Sequence, residues 1–321
     1  MRRLFAIGEA LIDFIPNETD IKLKDVQGFT RRVGGAPCNV AATTQKLGGE
    51  AALVTQLGED AFGDLIVETL QSIGVNTQYI ERTEEANTAL AFVSLTADGE
   101  RDFSFYRKPS ADMLYDPSHI NDIKLTEEDI LHFCSVDLVE SKMKAAHEEI
   151  IDQMHQVGGT IVFDPNVRLP LWEDEDACRK TIQQFIPKAH VVKISDEELN
   201  FVTGIEDEAQ AIQWLFQGHV EAVIFTKGAA GATIYLKDGT TLSHQGFQVT
   251  PVDTTGAGDA FIGAVISRLL TTETRDVVEI LKTQGEQILK FSNFVAAKVT
   301  TQHGAIESIP TLEEVNQAFD Q

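Results

Sequence analysis

Asp253-Thr254-Thr255-Gly256-Ala257-Gly258-Asp259-Ala260-Phe261 joins a glycine-rich turn, a carboxylate and the start of an apolar helix. Behind it Phe261, Ala264, Val265 and Leu269 recur at helical spacing. Such a turn leaves unpaired backbone N–H groups aimed one way, beside the positive end of the helix dipole. Gly256, Ala257 and Gly258 therefore read as an anion site suited to phosphate. A carboxylate in the first helical turn repels a bound phosphate, so Asp259 needs a task there. Accepting the proton of a hydroxyl that attacks phosphorus is such a task. For a bare Gly-x-Gly-Asp, a capped helix start would explain the residues as well.

The second constellation is Gly34-Gly35-Ala36-Pro37-Cys38-Asn39-Val40-Ala41-Ala42. Gly34 and Gly35 place backbone without side chains beside a helix start, and Asn39 adds an amide that both gives and takes hydrogen bonds. A polyol needs that combination, although a tight turn with an Asn cap also accounts for it. In this order the two strings resemble the paired signatures of the ribokinase-like (PfkB) carbohydrate kinases. The likeness runs nearly end to end, from Ile7-Gly8-Glu9 to Gly304-Ala305.

The resemblance implies a sugar kinase that uses ATP and Mg²⁺, with Asp259 as base and Gly256, Ala257 and Gly258 as the anion hole. Asp13, whose two oxygens suit vicinal hydroxyls, is implied as a sugar ligand with Gly34, Gly35 and Asn39. Glu198, in Lys193-Ile194-Ser195-Asp196-Glu197-Glu198, matches the family residue that organises the magnesium shell through waters. Ser195 stands where the family commonly has Asn, and the same string is a good helix N-cap with acids in its first turn. Thr226, Gly228 and Gly231 resemble the loop under the nucleotide, and Asn293 lies where the family packs adenine. After another strand, Asn166 and Arg168 are placed to reach phosphates. Residues 299–308 resemble a loop whose carbonyls hold K⁺ in related kinases, which implies Val299, Gln302, Gly304 and Ser308 together with Asp253 and Thr255. Hard oxygen ligands suit such an ion, though a plain loop would look the same.

The string Phe105-Tyr106-Arg107-Lys108-Pro109-Ser110-Ala111-Asp112 is similar to the family's fructokinases of bacteria and plants. That implies Arg107 near a neutral sugar, with D-fructose phosphorylated to fructose 6-phosphate. A 2-keto-3-deoxygluconate kinase is the alternative, with Arg107 on the substrate's carboxylate. A catalytically silent sugar-binding regulator is the alternative from another class; it would be expected to lose Asp259 or the glycines beside it.

These residues need elements to hold them. Short apolar runs at 4–7, 52–56, 130–134, 160–163, 191–194 and 222–226 read as buried parallel strands. Helical patterns at 39–47, 64–73, 143–157 and 197–203 alternate with them, and 256–270, 277–294 and a segment after Pro310 continue the helical run. The alternation predicts an α/β doubly wound, mostly parallel sheet flanked by helices, with ligands at the carboxyl ends of its strands. No domain boundary shows, so 1–321 reads as one kinase domain. Residues 14–33 and 88–106 have period-two patterning instead, the latter as a hairpin turning at Ala97-Asp98-Gly99. Ordinary edge hairpins would fit. The family reading is a small β-sheet lid over the sugar, formed from about 14–33 and 88–107, with a homodimer contact through it.

At 321 residues and 43% hydrophobic composition the chain can bury a large core. A net charge of −24 and a pI near 4.6 argue against nucleic acid or an anionic membrane as partner. No apolar run is long enough to span a bilayer, and the N-terminus reads as a strand and not a signal peptide. The three cysteines have no metal-like spacing, so reduced thiols in a cytoplasmic enzyme are expected. The eight histidines are scattered in sequence, and no structural metal is expected.

Overall fold

The computed structural model describes residues 2–18, 20–95 and 101–319. Thirteen strands are described: β1 (Arg3–Ile7), β2 (Leu11–Pro16), β3 (Phe29–Gly34), β4 (Glu50–Gly58), β5 (Ile80–Thr83), β6 (Ala89–Leu95), β7 (Arg101–Tyr106), β8 (Ile130–Cys134), β9 (Thr160–Asp164), β10 (Val191–Ser195), β11 (Ala222–Thr226), β12 (Ala232–Leu236) and β13 (Thr241–His244). The helices are α1 (Ala36–Lys46), α2 (Ala61–Ser72), α3 (Lys142–Val157), α4 (Glu175–Phe185), α5 (Asp196–Thr203), α6 (Glu208–Trp214), α7 (Ala257–Thr271), α8 (Val277–Val299), α9 (Ala305–Ser308) and α10 (Leu312–Phe319).

Nine strands form the main sheet, in the order β13-β12-β11-β10-β9-β8-β1-β4-β5. From β11 to β5 every pairing is parallel; β12 and β13 add an antiparallel edge. The parallel strands are apolar throughout because helices cover both faces. On one face Leu4, Leu53, Ile130 and Ile224 meet α1, α7 and α8; on the other Phe5, Phe133, Phe163 and Val223 meet α3 to α6. The periodicity located the six buried strands. It did not show β5, β12 and β13, which are short and partly exposed at the edges, where burial imposes no apolar run.

The other four strands form a separate small sheet, β3-β2-β6-β7. It is mixed, since β2 pairs parallel with β6 while the outer pairings are antiparallel. The first lid stretch is thus two strands around a non-strand segment with a short 3-10 turn at Leu23–Asp25, and not continuous strand. The predicted hairpin turn Ala97-Asp98-Gly99 lies outside the described residues. Phe14, Phe29 and Phe92 pack as a cluster on this sheet, anchored to α2 by Phe62 and reaching Tyr106.

Two further outcomes concern Cys and His. Cys38, Cys134 and Cys178 are free and buried. The histidines are not all scattered in space: His155, His190 and His219 gather at the amino ends of the strands, their ring nitrogens within 4.8 Å of one another. His190 Nδ1 already accepts the Ile161 N–H at 3.0 Å, which takes up one of its nitrogens. Among the described residues no helix is long and apolar enough to cross a membrane.

Candidate active site

Asp259 sits in the first turn of α7, at the carboxyl edge of the sheet. Gly256, the N-cap, has φ 73°, and a Cβ there would lie 2.6 Å from that of Ala305. Only glycine takes this left-handed turn without strain; as the helix begins, the Ala257 N–H donates to the Thr254 carbonyl at 3.3 Å, so of the three expected amides Ala257 is already paired. Asn39 Nδ2 donates to Asp259 Oδ2 at 2.9 Å, and Asn166 Nδ2 to Oδ1 at 3.3 Å. Two elements distant in sequence therefore aim one carboxylate. Burial pushes the Asp259 pKa above the ordinary carboxylate range, with the Asn39 bond and the charges of Arg168 and Lys193 opposing. A carboxylate with a raised pKa is a better proton acceptor.

Asn166, expected at the phosphates, reaches Asp259 from a left-handed conformation (φ 44°) that Asn tolerates. Arg168 is exposed, and its charge reaches Asp259. Asn39 gives its Nδ2 to Asp259, while its buried Oδ1 has no hydrogen-bond partner among the described residues.

Lys193 was quoted in the β10 string but given no role. It is 6% exposed, with Nζ 2.9 Å from Asp164 Oδ2 and 3.5 Å from where a Gly258 Cβ would stand. Burial works against its charge, but Asp164, Glu198 and Asp259 outweigh it and raise its pKa. Asp164 is pushed up to about 7 by burial, against the pull of Lys193. A buried cation thus stands at the anion turn. Its only sequence signal was a Lys inside a buried strand pattern, which is costly unless paired.

Glu198 shows the helix-capping geometry: Oε2 accepts from Ser195 N at 3.1 Å and from Ser195 Oγ at 2.8 Å. Oε1 accepts from Val167 N at 2.7 Å, tying α5 to the turn that carries Asn166. Burial alone would raise its pKa, but Lys193 and these donors hold it below the ordinary value. Beside it a cleft of about 670 Å³ is lined by Ser195, Thr226, Gly228, Gly231, Phe247 and Asn293 among others. Asn293 Nδ2 donates to the carbonyls of His244 and Gln245, fastening the cleft wall to α8.

The last loop departs from expectation in two places. Val299 ends α8 and is not in a loop, because the helix runs past residue 294; Ser308 lies in the short helix α9, its Oγ donating to the carbonyls of Gly304 and Ala305. The two segments do meet. Asp253 accepts the N–H of Thr255 at 2.8 Å and of Gly304 at 3.3 Å, and the Thr300 carbonyl accepts from Val252 and Asp253. The buried Thr255 Oγ1 has no hydrogen-bond partner among the described residues. Gln302 is exposed.

On the other side of the site stand β2 of the small sheet and the turn into α1. Asp13 on β2 lies over Gly34, where a Cβ would come 2.1 Å from Asp13 Oδ2. Gly35, at φ 102°, passes so close to Glu9 that a Cβ would meet its carbonyl at 2.6 Å. Burial raises the Cys38 thiol, as do the charges of Glu9, Asp259 and Asp13, which therefore surround one point. Arg107 was expected near the sugar. It is 5% exposed, and its Nη2 donates to both Asp112 and Asp137. Asp112 is fully buried and faces Arg107, not the sugar side.

Residues 1–312 match the model of the pfkB family carbohydrate kinases. The chain belongs to that family. The kinase is 39% identical to fructokinase-2 of Solanum lycopersicum over 97% of its own length and 94% of the relative's. Among solved structures, the fructokinase of Vibrio cholerae O395 in a double-mutant form with fructose, ADP and potassium bound superposes with TM-score 0.88 at 31% identity, covering 99% of this chain and 98% of that one. The Xylella fastidiosa fructokinase with bound ATP gives 0.88, 31%, 99% and 98%. This pfkB carbohydrate kinase is thus matched along its whole length, lid included.

Proposed function

We propose that this kinase transfers the γ-phosphoryl group of ATP to the terminal CH₂OH of D-fructose, giving fructose 6-phosphate and ADP. The observation that carries the reading is Asp259, desolvated, aimed by Asn39 and Asn166, at the mouth of an amide turn faced by Lys193. Asp259 takes the hydroxyl proton as the sugar oxygen bonds to the γ-phosphorus and the bond to the ADP oxygen breaks. The charge on the transferring group falls on the Gly258 end of the turn and on the Lys193 ammonium beside it, which is where electrostatic stabilisation is needed in a loose transition state.

Asp13 and Asn39 Oδ1 hold sugar hydroxyls, and the cleft from Ser195 to Asn293 holds the nucleotide. Mg²⁺ bound to the triphosphate would offset its charge; both Glu198 oxygens already accept hydrogen bonds, so that residue would meet the ion through water. K⁺ would lie between 253–255 and 299–308, where Thr255 Oγ1 lacks a partner. The lid excludes water, since transfer to water is the competing reaction.

Fructose is favoured over the acid sugar because Arg107, the cation that 2-keto-3-deoxygluconate would require, is paired internally with two carboxylates. The relatives at 39% identity are fructokinases as well. The test is fructose-dependent release of ADP with Mg·ATP, followed by locating the phosphate by NMR. Phosphate on the terminal primary carbon supports the reading, and ADP release that ignores fructose sinks it.

A further inference from the structure

The inner ends of three lid strands converge on one buried polar hub. β2 begins just after Glu9, β3 ends just before Ala36, and β7 ends just before Arg107. Glu9, Arg107, Asp112 and Asp137 are 3%, 5%, 0% and 1% exposed. Three carboxyl groups around a single guanidinium cannot all be charged at low dielectric cost. Among the described residues Glu9 Oε2 has no hydrogen-bond partner, and burial together with the Asp137 charge raises the Glu9 pKa, which favours the protonated carboxyl.

From this hub the hydrogen bonds run without a gap. Arg107 donates to Asp137 Oδ1. Asp137 Oδ2 accepts the Glu9 N–H at 2.6 Å. Glu9 Oε1 accepts the Ala36 N–H at 2.8 Å, at the first residue of α1. In the first turns of that helix Asn39 N donates to the Gly35 carbonyl at 2.9 Å, and Asn39 Nδ2 holds Asp259 at 2.9 Å. We propose that Arg107 and Asp137 are positioning residues that couple the seating of the lid, through Glu9 and the start of α1, to the orientation of the Asp259 carboxylate. A lid strand that shifts moves the amide that aims the base, so the base is aligned when the lid is seated. This rests on Asp259 being the base of the proposed reaction.

The test is a double-variant cycle on the full-length enzyme with its best sugar, using Asp137→Asn, Asn39→Ala and both. Asp137→Asn is expected to lower kcat by on the order of tenfold to a hundredfold, the scale of a slightly misplaced catalytic group, with KM for ATP unchanged. The double variant is expected to be no slower than the slower single one, because the same relay is broken twice. A merely structural role would lower the melting temperature and leave kcat of the folded enzyme intact. Arg107→Lys, which keeps the charge and loses the fork, replaces Asp137→Asn in the cycle should the latter not fold. The proposal is overturned if losses multiply, or if the hub variant keeps kcat within about twofold of wild type, well inside the range a misplaced group would cost. A wild type with no sugar-dependent turnover would instead remove the base assignment, and the relay with it.

Discussion

Asp259 is held by two amides that belong to other parts of the chain, and its desolvation serves basicity at a cost in stability. Asp259→Asn is expected to lower kcat by roughly a hundredfold to ten-thousandfold, the typical worth of a positioned base, while sugar binding persists. Wild-type turnover should fall as pH drops through the raised pKa of Asp259, in a window that starts above the ordinary carboxylate range. The stability sign is opposite. A folded-state pKa above the unfolded value means the folded form binds the proton more tightly, so this group's contribution is favourable at low pH and lost as pH rises. At pH 7.5 the Asn variant should therefore melt no lower than wild type, and about 2 °C higher if about 1 kcal/mol is recovered. Calorimetry beside kinetics checks both; a variant with near-normal turnover contradicts the assignment. Asp259 was legible in sequence because a carboxylate beside a glycine turn is unusual. Its two braces were not. An amide that pairs across the fold has no local pattern, and neither Asn39 nor Asn166 sits near it in the chain.

At the scale of elements, two loop segments meet beside the anion turn. Asp253 stitches Thr255 to Gly304, and the Thr300 carbonyl receives Val252 and Asp253. A monovalent cation there would order the turn that carries Gly256 and partly offset phosphate charge. Replacing Na⁺ by K⁺ at equal ionic strength is expected to raise kcat, and a bulky organic cation should match the lower rate. Identical initial rates in the three chlorides would leave the pairing purely structural. The ligand positions were only partly legible. A loop that coordinates through carbonyls leaves no side-chain trace, and the unbroken apolar face of α8 gave no sign that it would run on to Val299. β13 at the sheet's edge and β12 beside it escaped because strands half exposed along their length carry no continuous apolar run. The helix–strand alternation itself was clear, because strands covered on both faces must be apolar throughout.

At the scale of the whole molecule, the main sheet presents Asp259, the glycine turn and the cleft of about 670 Å³ along one edge, and three strands of the small sheet end beside the hub around Arg107. Sequence suggested Arg107 as a substrate contact because Tyr-Arg strings in the family invite it. In the structure Arg107 is buried and paired with Asp112 and Asp137, and Asp137 follows β8 and cannot be connected to β7 by spacing. The consequence is chemical. Asp112 and Asp137 already take up the Arg107 guanidinium, and Asp13 and Asp259 add carboxylates near Cys38 on the other side of the site, so a neutral acceptor is favoured over an anionic one. The most direct measurement is kcat/KM for D-fructose and for 2-keto-3-deoxygluconate under identical Mg·ATP and potassium conditions. Efficiency for fructose is expected to exceed that for the acid by at least about a hundredfold, the scale of discrimination available when a charged group meets no partner. A preference for the acid would contradict both the internal pairing of Arg107 and the choice of fructose as the sugar.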